Sequence, residues 1–272
     1  MTPAPLVVLV TGTSSGFGRQ IGAALAADGH QVFGTVRTPR PGHTPGFATI
    51  RMDVTSDESV TAAVAEVVRA AGRIDVVINN AGMGIAGSIE DTSVEEARAQ
   101  FDTNFFGTHR VCRAALPQLR AQRRGHIINV SSLAGRVPIP FQGFYSASKF
   151  AIEAYSEALR MELRPFGIAV SMVEPGDFAT GFTANRRMAA SSTPKSPYHA
   201  PCQRAIARMA RDEQANSDLS PVVGAVRAIL TTARPALRYP RATFVQRAFV
   251  AARPFLPQAL AEFLVRDSYG LT

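Results

Sequence analysis

Residues 6–28 read LVVLVTGTSSGFGRQIGAALAAD, and this stretch decides the fold. Residues 6–11 form a continuous apolar run that ends at a glycine, which is the pattern of a strand buried on both faces of a parallel sheet. Residues 16–28 then place Ile21 and Leu25 at helical spacing among small residues. The stretch therefore predicts a strand, a glycine-rich turn and a helix in direct succession.

The same alternation continues through the first two thirds of the chain. Strands are predicted at residues 31–36, 47–54, 75–79, 126–130 and 168–173, and helices at residues 57–71, 94–123 and 144–164. Repeated strand–helix units with right-handed crossovers give a parallel sheet with helices on both faces. The sequence therefore predicts an α/β, doubly wound, Rossmann-type fold in a single domain over residues 1–272.

The alternation stops after Pro175. Residues 177–220 are long, polar and irregular, apart from a helical pattern at residues 200–214. A connection of this length in a compact domain is usually a functional lid or a disordered segment, and we predict a substrate lid. A further helix is predicted at residues 221–232, and residues 241–271 have the helical spacing of a C-terminal extension.

The composition limits the classes of protein to which the chain can belong. With 46% hydrophobic and 18% charged residues it is typical of a soluble globular protein, and no apolar run approaches the ~18 residues of a membrane span. The N-terminus carries no positive charge ahead of its apolar stretch, so we expect no secretory signal and a cytoplasmic location. Cys112 and Cys202 have neither disulfide-framework nor metal-ligand spacing, so no metal is expected.

The formal net charge of +8 is concentrated in one region. Residues 181–253 hold 12 Lys and Arg against 3 Asp and Glu. The chain has no helix-turn-helix, zinc-finger or RNA-binding signature, so nucleic acid is not expected as a partner. One hypothesis is that this basic, apolar third contacts an anionic membrane or an acidic carrier that delivers the substrate. A subunit interface, or simply solvated arginines, explains the same residues.

The turn at residues 11–18, TGTSSGFG, has the chemistry to hold a dinucleotide. Gly12 permits the tight turn, Gly16 lets the backbone approach a pyrophosphate, and Gly18 allows close packing of helix and strand. The positive end of the helix then faces the phosphates. The other residues of the turn that we predict to contact the cofactor are Ser14, Ser15 and Phe17.

An arginine, not a carboxylate, follows the second strand. The acidic residue that binds the ribose hydroxyls of NAD normally stands ~20 residues after the glycines. Here that position reads FGTVRT over residues 33–38. Arg37 offers charge-assisted, bidentate hydrogen bonds to a 2′-phosphate, and Arg40 could assist it. The sequence therefore predicts NADP(H) as the cofactor.

Tyr145 and Lys149 form the sharpest catalytic signal. They share a helix face at a spacing of four, and Lys149 is one of only 2 lysines among 29 basic residues. A tyrosine with its ordinary pKa of ~10 is a poor base, but a nearby ammonium and a positive nicotinamide ring favour the phenolate and lower that pKa. Tyr145 can then exchange a proton with the substrate oxygen while a hydride passes to or from the cofactor.

Together these motifs resemble those of the short-chain dehydrogenase/reductase family. The first turn has the family's T-G-x-x-x-G-x-G spacing, residues 79–82 read NNAG, residues 145–149 read YSASK, and residues 175–180 match P-G-x-x-x-T. The matches run from Val10 to Thr180 in family order. The resemblance implies an oxidoreductase that acts on CH–OH and C=O groups.

The resemblance also implies roles for individual residues. Ser132 would orient the substrate oxygen, with Ser131 as the alternative, and Lys149 would hold the nicotinamide ribose. Asn104 would hold a water that links Lys149 to solvent, and Asp53 would contact the adenine amino group. The remaining cofactor contacts that the family motifs imply are Val54, Asn80, Ala81, Gly82, Tyr145, Pro175, Gly176 and Thr180. Glu174 stands where the family often has Asn.

The substrate is predicted to be apolar. Five residues are expected near the nicotinamide or its cover, and they suit a steroid, retinoid, long-chain or aromatic compound: Phe141, Phe144, Phe178, Phe182 and Met188. Residues 237–240, LRYP, resemble a steroid- and retinol-dehydrogenase-like branch. Family members usually pair through the helices that correspond to residues 94–123 and 144–164, so a homodimer or homotetramer is expected.

Three other functions fit part of the sequence. A nucleotide-sugar epimerase or dehydratase shares the Tyr–Lys pair, but usually has a T-G-x-x-G-x-x-G turn and a larger C-terminal domain. A non-enzymatic redox sensor would bind NADP(H), but such proteins typically lack the Tyr or the Lys. An unrelated dinucleotide-binding module would use the glycines structurally.

Overall fold

The computed structural model describes residues 5–39 and 46–272. At its centre is a parallel seven-stranded sheet with the strand order β3-β2-β1-β4-β6-β7-β9. In chain order the strands are β1 (Val7–Val10), β2 (Gln31–Val36), β3 (Ala48–Arg51), β4 (Val76–Asn79), β5 (Ile85–Ala86), β6 (Gly125–Val130), β7 (Ile168–Pro175), β8 (Arg187–Met188) and β9 (Arg238–Arg241). The short strands β5 and β8 pair with each other. The doubly wound fold that the sequence predicts is confirmed.

Helices cover both faces of this sheet. They are α1 (Gly16–Ala27), α2 (Asp57–Ala71), α3 (Val94–Phe101), α4 (Gly107–Gln122), α5 (Gly143–Leu163), α6 (Gly181–Ala184), α7 (His199–Gln214), α8 (Ser220–Thr231), α9 (Phe244–Ala252) and α10 (Gln258–Ser268). Within the described ranges, no helix combines the length and the apolar character needed to span a membrane.

The side chains of β1 alternate between two hydrophobic cores. Val7 and Leu9 pack with residues of α2, α4 and α5, whereas Val8 and Val10 pack with residues of α1 and α8. All four residues of β1 and all four of β4 are buried, because helices cover the sheet on both sides. This explains why the central strands read as unbroken apolar runs.

The strand order reverses between β1 and β4, which lie side by side. Chain connections on the two sides of such a reversal leave in opposite directions and open a crevice at the carboxyl ends of the strands. The glycine turn follows β1 and the NNAG turn includes the end of β4, so the topology brings both turns to this crevice.

The helix predicted at residues 94–123 is divided in the structure. A π-helical turn, Asp102–Phe106, separates α3 from α4. Asn104 lies in this turn, and its amide group bonds to the backbone of Met83 and to the hydroxyl of Ser148. These contacts hold the widened turn against α5, and the 3.6-residue spacing of the sequence gives no sign of it.

Two predictions about the C-terminal third were wrong in detail. Within residues 177–220 the helix predicted at residues 200–214 is present as α7, but the stretch before it, predicted to be irregular, also contains the short elements α6 and β8. Arg238–Arg241 forms the seventh strand, which pairs with β7, so the C-terminal extension begins with a strand residue and becomes helical only at Phe244. Pro240 made this strand hard to predict from the sequence, because proline lacks a backbone N–H and within sheets is largely confined to edge strands. In the structure β9 is an edge strand.

Candidate active site

A cleft of about 1100 Å³ runs along the carboxyl ends of the strands. The glycine turn, the end of β2, the NNAG turn, the loop after β6, α5 and the loop after β7 form its floor. Residues of α7, α9 and α10 line its other side. The cleft therefore reaches from the predicted dinucleotide turn to the predicted catalytic helix and on beneath the C-terminal helices.

The glycine turn has the backbone conformation that its sequence predicts. Gly12 has φ +70°, and a Cβ placed there would lie 2.8 Å from Cα of Ala81. A Cβ at Gly18 would lie 2.4 Å from the carbonyl oxygen of Gly12 and from Nδ2 of Asn80. Any side chain at either position would force the two turns apart, so both glycines are required for the approach of α1 to the crevice.

Thr11 and Asn80 fasten the two turns together. The Thr11 hydroxyl accepts hydrogen bonds from the backbone N–H groups of Asn80 and Ala81, both at 2.9 Å. The side chain of Asn80 donates to the carbonyl oxygens of Thr11 and Gly12 at 2.8 and 3.0 Å. The Asn80 side chain therefore holds the glycine turn in place. Gly82, two residues later, lines the cleft.

The N-terminus of α1 is open toward the cleft. Its N-cap residue, Ser15, makes no side-chain hydrogen bond to the helix backbone within the described part of the chain. Ser14, Ser15 and Phe17 all line the cleft, as the sequence predicts. Thr180 lies across this turn, because a Cβ at Gly16 would be 3.3 Å from its Cβ. Backbone N–H groups at a helix N-terminus suit a phosphate, and this end has room for one.

Arg37 and Asp53 lie near each other at the end of the cleft formed by β2 and the segment after β3. Asp53 accepts hydrogen bonds from the backbone N–H and the hydroxyl of Thr55 at 3.0 and 2.8 Å. These bonds, followed by the guanidinium of Arg37, hold the pKa of Asp53 below its ordinary value. Arg19, which sequence reasoning missed, also lines the cleft, whereas Arg40 lies outside the described residues.

Tyr145 and Lys149 stand on the cleft face of α5. Nζ of Lys149 lies 5.8 Å from the centre of the Tyr145 ring and donates a 2.8 Å hydrogen bond to the carbonyl oxygen of Val130. The ring of Phe182 covers Tyr145 at a centroid distance of 5.2 Å. The sequence spacing of four therefore places both groups in one enclosed site.

Ser132 belongs to this site through the loop after β6. Its hydroxyl donates to the carbonyl oxygen of Pro175 at 3.3 Å and accepts from the backbone N–H of Ala134 at 3.1 Å. The nearby side chain of Ser132 also acts to lower the pKa of Tyr145. Ser131 is buried as well and lines the cleft, but its Oγ has no hydrogen-bond partner among the described residues.

Burial dominates the protonation of the catalytic pair. It raises the pKa of Tyr145 to about 12, because the cleft wall removes water from the phenol. It lowers the pKa of Lys149 to about 8 for the same reason. Desolvation is the largest influence on both groups, and the expectation that the ammonium and a positive nicotinamide ring together favour the phenolate stays a prediction.

The far end of the cleft is largely apolar, with one polar cluster. Of the five apolar residues that the sequence placed near the substrate, Phe178 and Phe182 line the cleft. Phe144 lines a separate groove beside α3, and Phe141 and Met188 line neither. The cleft lining that sequence reasoning missed includes Met209, Val245, Phe249, Val250, Leu264, Val265 and Tyr269. No local pattern marks these residues, because they meet only after α7, α9 and α10 have packed.

The polar cluster lies where α6, α7 and α9 meet. Arg186 pairs with Glu213, which also accepts a 2.5 Å hydrogen bond from the hydroxyl of Thr183. Asp177 accepts a hydrogen bond from Gln246 at 2.5 Å. Burial raises the pKa of Asp177 to about 6. These contacts tie the predicted lid and the C-terminal helices to the loop after β7.

A family model described as short chain dehydrogenase matches residues 6–191. The chain belongs to the short-chain dehydrogenases. This short-chain dehydrogenase is 41% identical over 270 residues to 3-ketodihydrosphingosine reductase of Bacteroides thetaiotaomicron, and the match covers 98% of this chain and 99% of that protein. The chain is therefore an oxidoreductase of alcohol or keto groups, and the resemblance stated from the sequence motifs is confirmed.

Other relatives share the same fold. This chain is 38% identical over 195 residues to retinol dehydrogenase 8 of Homo sapiens. The match covers 67% of this chain and 62% of that protein, which is less than two thirds of that protein's length. A short-chain dehydrogenase from Streptomyces avermitilis is 32% identical with a TM-score of 0.79, covering 97% of this chain and 96% of that one. One from Burkholderia cenocepacia, solved in complex with NADP, is 28% identical with a TM-score of 0.75, covering 96% and 97%.

Proposed function

We propose that this short-chain dehydrogenase reduces the carbonyl group of an apolar, long-chain substrate with NADPH. The observation that carries the proposal is that the glycine turn, Tyr145, Lys149 and Ser132 line one continuous cleft. A cofactor held by the turn and a substrate beneath the C-terminal helices would meet at Tyr145. The relative from Bacteroides thetaiotaomicron that is named a reductase supports the direction, and Tyr145 is protonated at neutral pH, as a proton donor to a carbonyl must be.

The residues present fit a nicotinamide dinucleotide. The open N-terminus of α1 and the close approach of Gly12 and Gly18 form the phosphate site. Asp53, with Val54 beside it, would accept from the adenine amino group, and Ala81 and Gly82 would pack against the adenosine. Thr180, with Pro175 and Gly176 before it, would hold the nicotinamide end. When bound, the cofactor supplies the hydride.

The protein's own groups would manage the proton. Tyr145 donates its phenolic proton to the substrate oxygen as that oxygen gains negative charge, and the Ser132 hydroxyl holds the same oxygen. Lys149 stabilises the resulting phenolate and binds the nicotinamide ribose. Asn104 positions Lys149, because its amide ties the π-helical turn to Met83 and, through Ser148, to α5, the helix that carries Lys149. Asn104 would also hold a water that links Lys149 to solvent.

The cofactor is proposed to be NADP(H) and not NAD(H). Arg37 is exposed at the cleft and Arg19 also lines it, so two guanidinium groups are available for a 2′-phosphate. Solved relatives include complexes with NADP and with NADH, so the choice rests on these arginines. A non-enzymatic NADP(H) sensor is the second candidate, but nothing observed favours it over an enzyme with an intact Tyr–Lys pair.

The substrate is proposed to carry a long apolar chain. Phe249, Val250 and Val265 line the same cleft as Tyr145 and Phe182, and apolar walls of this kind suit a hydrocarbon chain. The relative from Bacteroides thetaiotaomicron is named for a sphingoid ketone, which makes a long-chain keto compound the first substrate to test. A retinoid is the alternative that the more distant relative suggests.

We also propose a substrate lid for this protein, an oligomeric state, a cellular location and a surface partner. Residues 177–220 act as a substrate lid, held down here by hydrogen bonds of 2.7 Å from Ser196 to Asp91 and from Tyr198 to Glu90. The chain forms a homodimer or homotetramer through α4 and α5, and it acts in the cytoplasm. The basic C-terminal third contacts an anionic surface. Arg238 does not take part, because its guanidinium pairs with Glu153 and Glu174 inside the protein.

The cofactor proposal is tested by titrating the purified protein with NADPH and with NADH and following nicotinamide fluorescence. NADPH should bind more tightly, and Arg37→Ala should weaken NADPH binding by roughly 10- to 100-fold while leaving NADH binding nearly unchanged. Arg51→Ala, an exposed arginine on the neighbouring strand, is the matched control. Tighter binding of NADH by the wild type would refute the Arg37 assignment and leave the catalytic one standing.

The catalytic proposal is tested with Tyr145→Phe. NADPH binding should persist, while kcat for ketone reduction should fall by about 10²- to 10⁴-fold because the proton donor is lost. Tyr239→Phe, which removes a hydroxyl bonded to the backbone of Ala236, is the control. Undiminished turnover by Tyr145→Phe would refute the assignment.

A further inference from the structure

The last two helices expose an unusual amount of apolar surface. Every residue of α9 and α10 is described, yet α9 has no buried residue and α10 has only Ala261. Phe244, Phe255 and Phe263 are 82%, 87% and 53% exposed. Several large apolar side chains that face water in one C-terminal segment mark a contact with an apolar partner.

The same segment reaches the cleft. We define the apolar rim as the exposed large apolar residues of this segment: Phe244, Val245, Phe255, Leu260, Phe263 and Leu264. On α10, Leu260, Phe263 and Leu264 have the spacing of one helix face. Val245 and Leu264 also line the cleft, and they come from two different helices. An apolar path therefore continues from the surface into the cleft.

The charges beside the rim are mainly positive. Residues 241–253 contain Arg241, Arg247 and Arg253 and no acidic residue, and Arg247 is exposed. On α10, Arg266 is accompanied by two carboxylates, Glu262 and Asp267. Apolar side chains flanked by arginines are the composition of segments that lie at the surface of an anionic membrane.

A second copy of the chain is a less suitable occupant. A two-fold contact centred on this rim would bring Arg241, Arg247, Arg253 and Arg266 of both copies together, and Glu262 and Asp267 would offset only part of their repulsion. Anionic headgroups would instead neutralise those arginines while the phenylalanines enter the acyl region. Charge complementarity therefore favours lipid over self-association.

We propose that the apolar rim docks on an anionic lipid bilayer, so that the cleft opens toward the hydrocarbon and a long-chain substrate enters without crossing water. The role in substrate delivery rests on the proposed function. The docking itself does not, because it is measured without turnover.

The test is co-sedimentation of the full chain with vesicles of phosphatidylcholine alone and of an equal mixture with phosphatidylglycerol. The wild type should bind the mixed vesicles much more tightly. Arg247→Gln and Arg266→Gln should each weaken binding by about fivefold, the contribution of one basic residue near a charged membrane. The triple variant Phe244→Ser, Phe255→Ser, Phe263→Ser should weaken binding more than tenfold. Met161→Ser, an equally exposed apolar residue at 70% exposure on α5, should leave binding unchanged.

Three results would overturn the docking proposal: no binding of the wild type to mixed vesicles, equal binding by the triple variant, or equal binding to both kinds of vesicle. A triple variant that dissociates an oligomer in sedimentation velocity, with no vesicle binding by the wild type, would assign the rim to a second copy. Reduction of a short, water-soluble ketone by NADPH without vesicles should be the same in every variant. Its absence in the wild type would refute the proposed function and leave the vesicle result standing.

Discussion

At the scale of single residues, Tyr145 and Lys149 owe their chemistry to burial more than to each other. Removing water from both groups favours their neutral forms, so the phenol pKa rises to about 12 and the ammonium pKa falls to about 8. Tyr145 is thereby kept as a proton donor over the whole neutral range. Lys149, in contrast, changes charge just above that range.

The lowered pKa of Lys149 predicts an alkaline limit to catalysis. At saturating NADPH, the rate of ketone reduction should be level below about pH 8 and fall above it, because the ammonium loses its proton as pH rises through its pKa. Lys149→Arg, whose guanidinium stays charged, should retain a low rate without this fall. The measurement is kcat against pH in constant ionic strength.

The chain offers a matched control for this pH profile. Lys195 is the second of its 2 lysines and is exposed, so Lys195→Met should keep the wild-type profile. If Lys149→Arg shows the same alkaline fall as the wild type, another group is responsible for it.

At the scale of elements, an arginine on β9 forms ion pairs with α5, the helix that carries Tyr145 and Lys149, and with β7. Nε of Arg238 on β9 lies 3.0 Å from Glu153 on α5 and 3.1 Å from Glu174 on β7. Arg136, from the loop that carries Ser132, is 3.6 Å from Glu174. Both carboxylates are buried, and burial raises the pKa of Glu174 to about 7, with the charge of Glu153 adding to the effect. One guanidinium thus joins three elements of the active site.

Removal of this guanidinium should destabilise the protein in a pH-dependent way. Arg238→Met should lower the free energy of unfolding by about 3 kcal/mol at alkaline pH, because two buried carboxylates lose their shared cation. The loss should shrink at acid pH, since a carboxyl group with a raised pKa takes up a proton in the folded state and is then neutral. Urea unfolding on either side of pH 7 measures the difference.

Two comparisons separate this ion cluster from a general effect of losing an arginine. Arg234→Met, an exposed arginine just before β9, should have little effect at either pH. The triple variant Glu153→Gln, Glu174→Gln, Arg238→Met should recover most of the loss, because no buried charge remains. An equal loss at both pH values would contradict this account.

At the scale of the whole molecule, the substrate end of the cleft is assembled from segments far apart in the chain. Phe182 follows β7, Met209 lies on α7, Phe249 on α9 and Leu264 on α10, and all four line the cleft. Their convergence depends on contacts such as the hydrogen bond from Gln246 to Asp177. Specificity for chain length is therefore expected to reside in the C-terminal helices.

Phe249→Ala should raise KM for a long-chain ketone about tenfold, because the apolar contact of a phenyl ring is lost. The KM for a short ketone and the affinity for NADPH should be nearly unchanged. Phe255→Ala, an exposed residue outside the cleft lining, is the control for aqueous assays without lipid. Equal increases for long and short substrates would place Phe249 outside the chain-binding region.

The sequence by itself determined the α/β class, the doubly wound sheet and the place of the dinucleotide turn. These features depend on local rules: apolar runs for buried strands, glycines where Gly12 and Gly18 meet other backbone, and a spacing of four that puts Tyr145 and Lys149 on one helix face. Each strand, the glycine turn and the Tyr–Lys pair lies within a stretch of about 20 residues, and the doubly wound sheet follows from the order in which such stretches alternate.

Only the tertiary structure decided the rest. The π-helical turn at Asn104, the strand at Arg238–Arg241, the ion cluster around Glu174 and the lining from α7, α9 and α10 all depend on partners distant in sequence. The pKa of Tyr145 belongs to this group as well, because it depends on how much water the folded cleft removes. Burial and long-range pairing are properties of the packed chain, and for that reason no local pattern of residues reveals them.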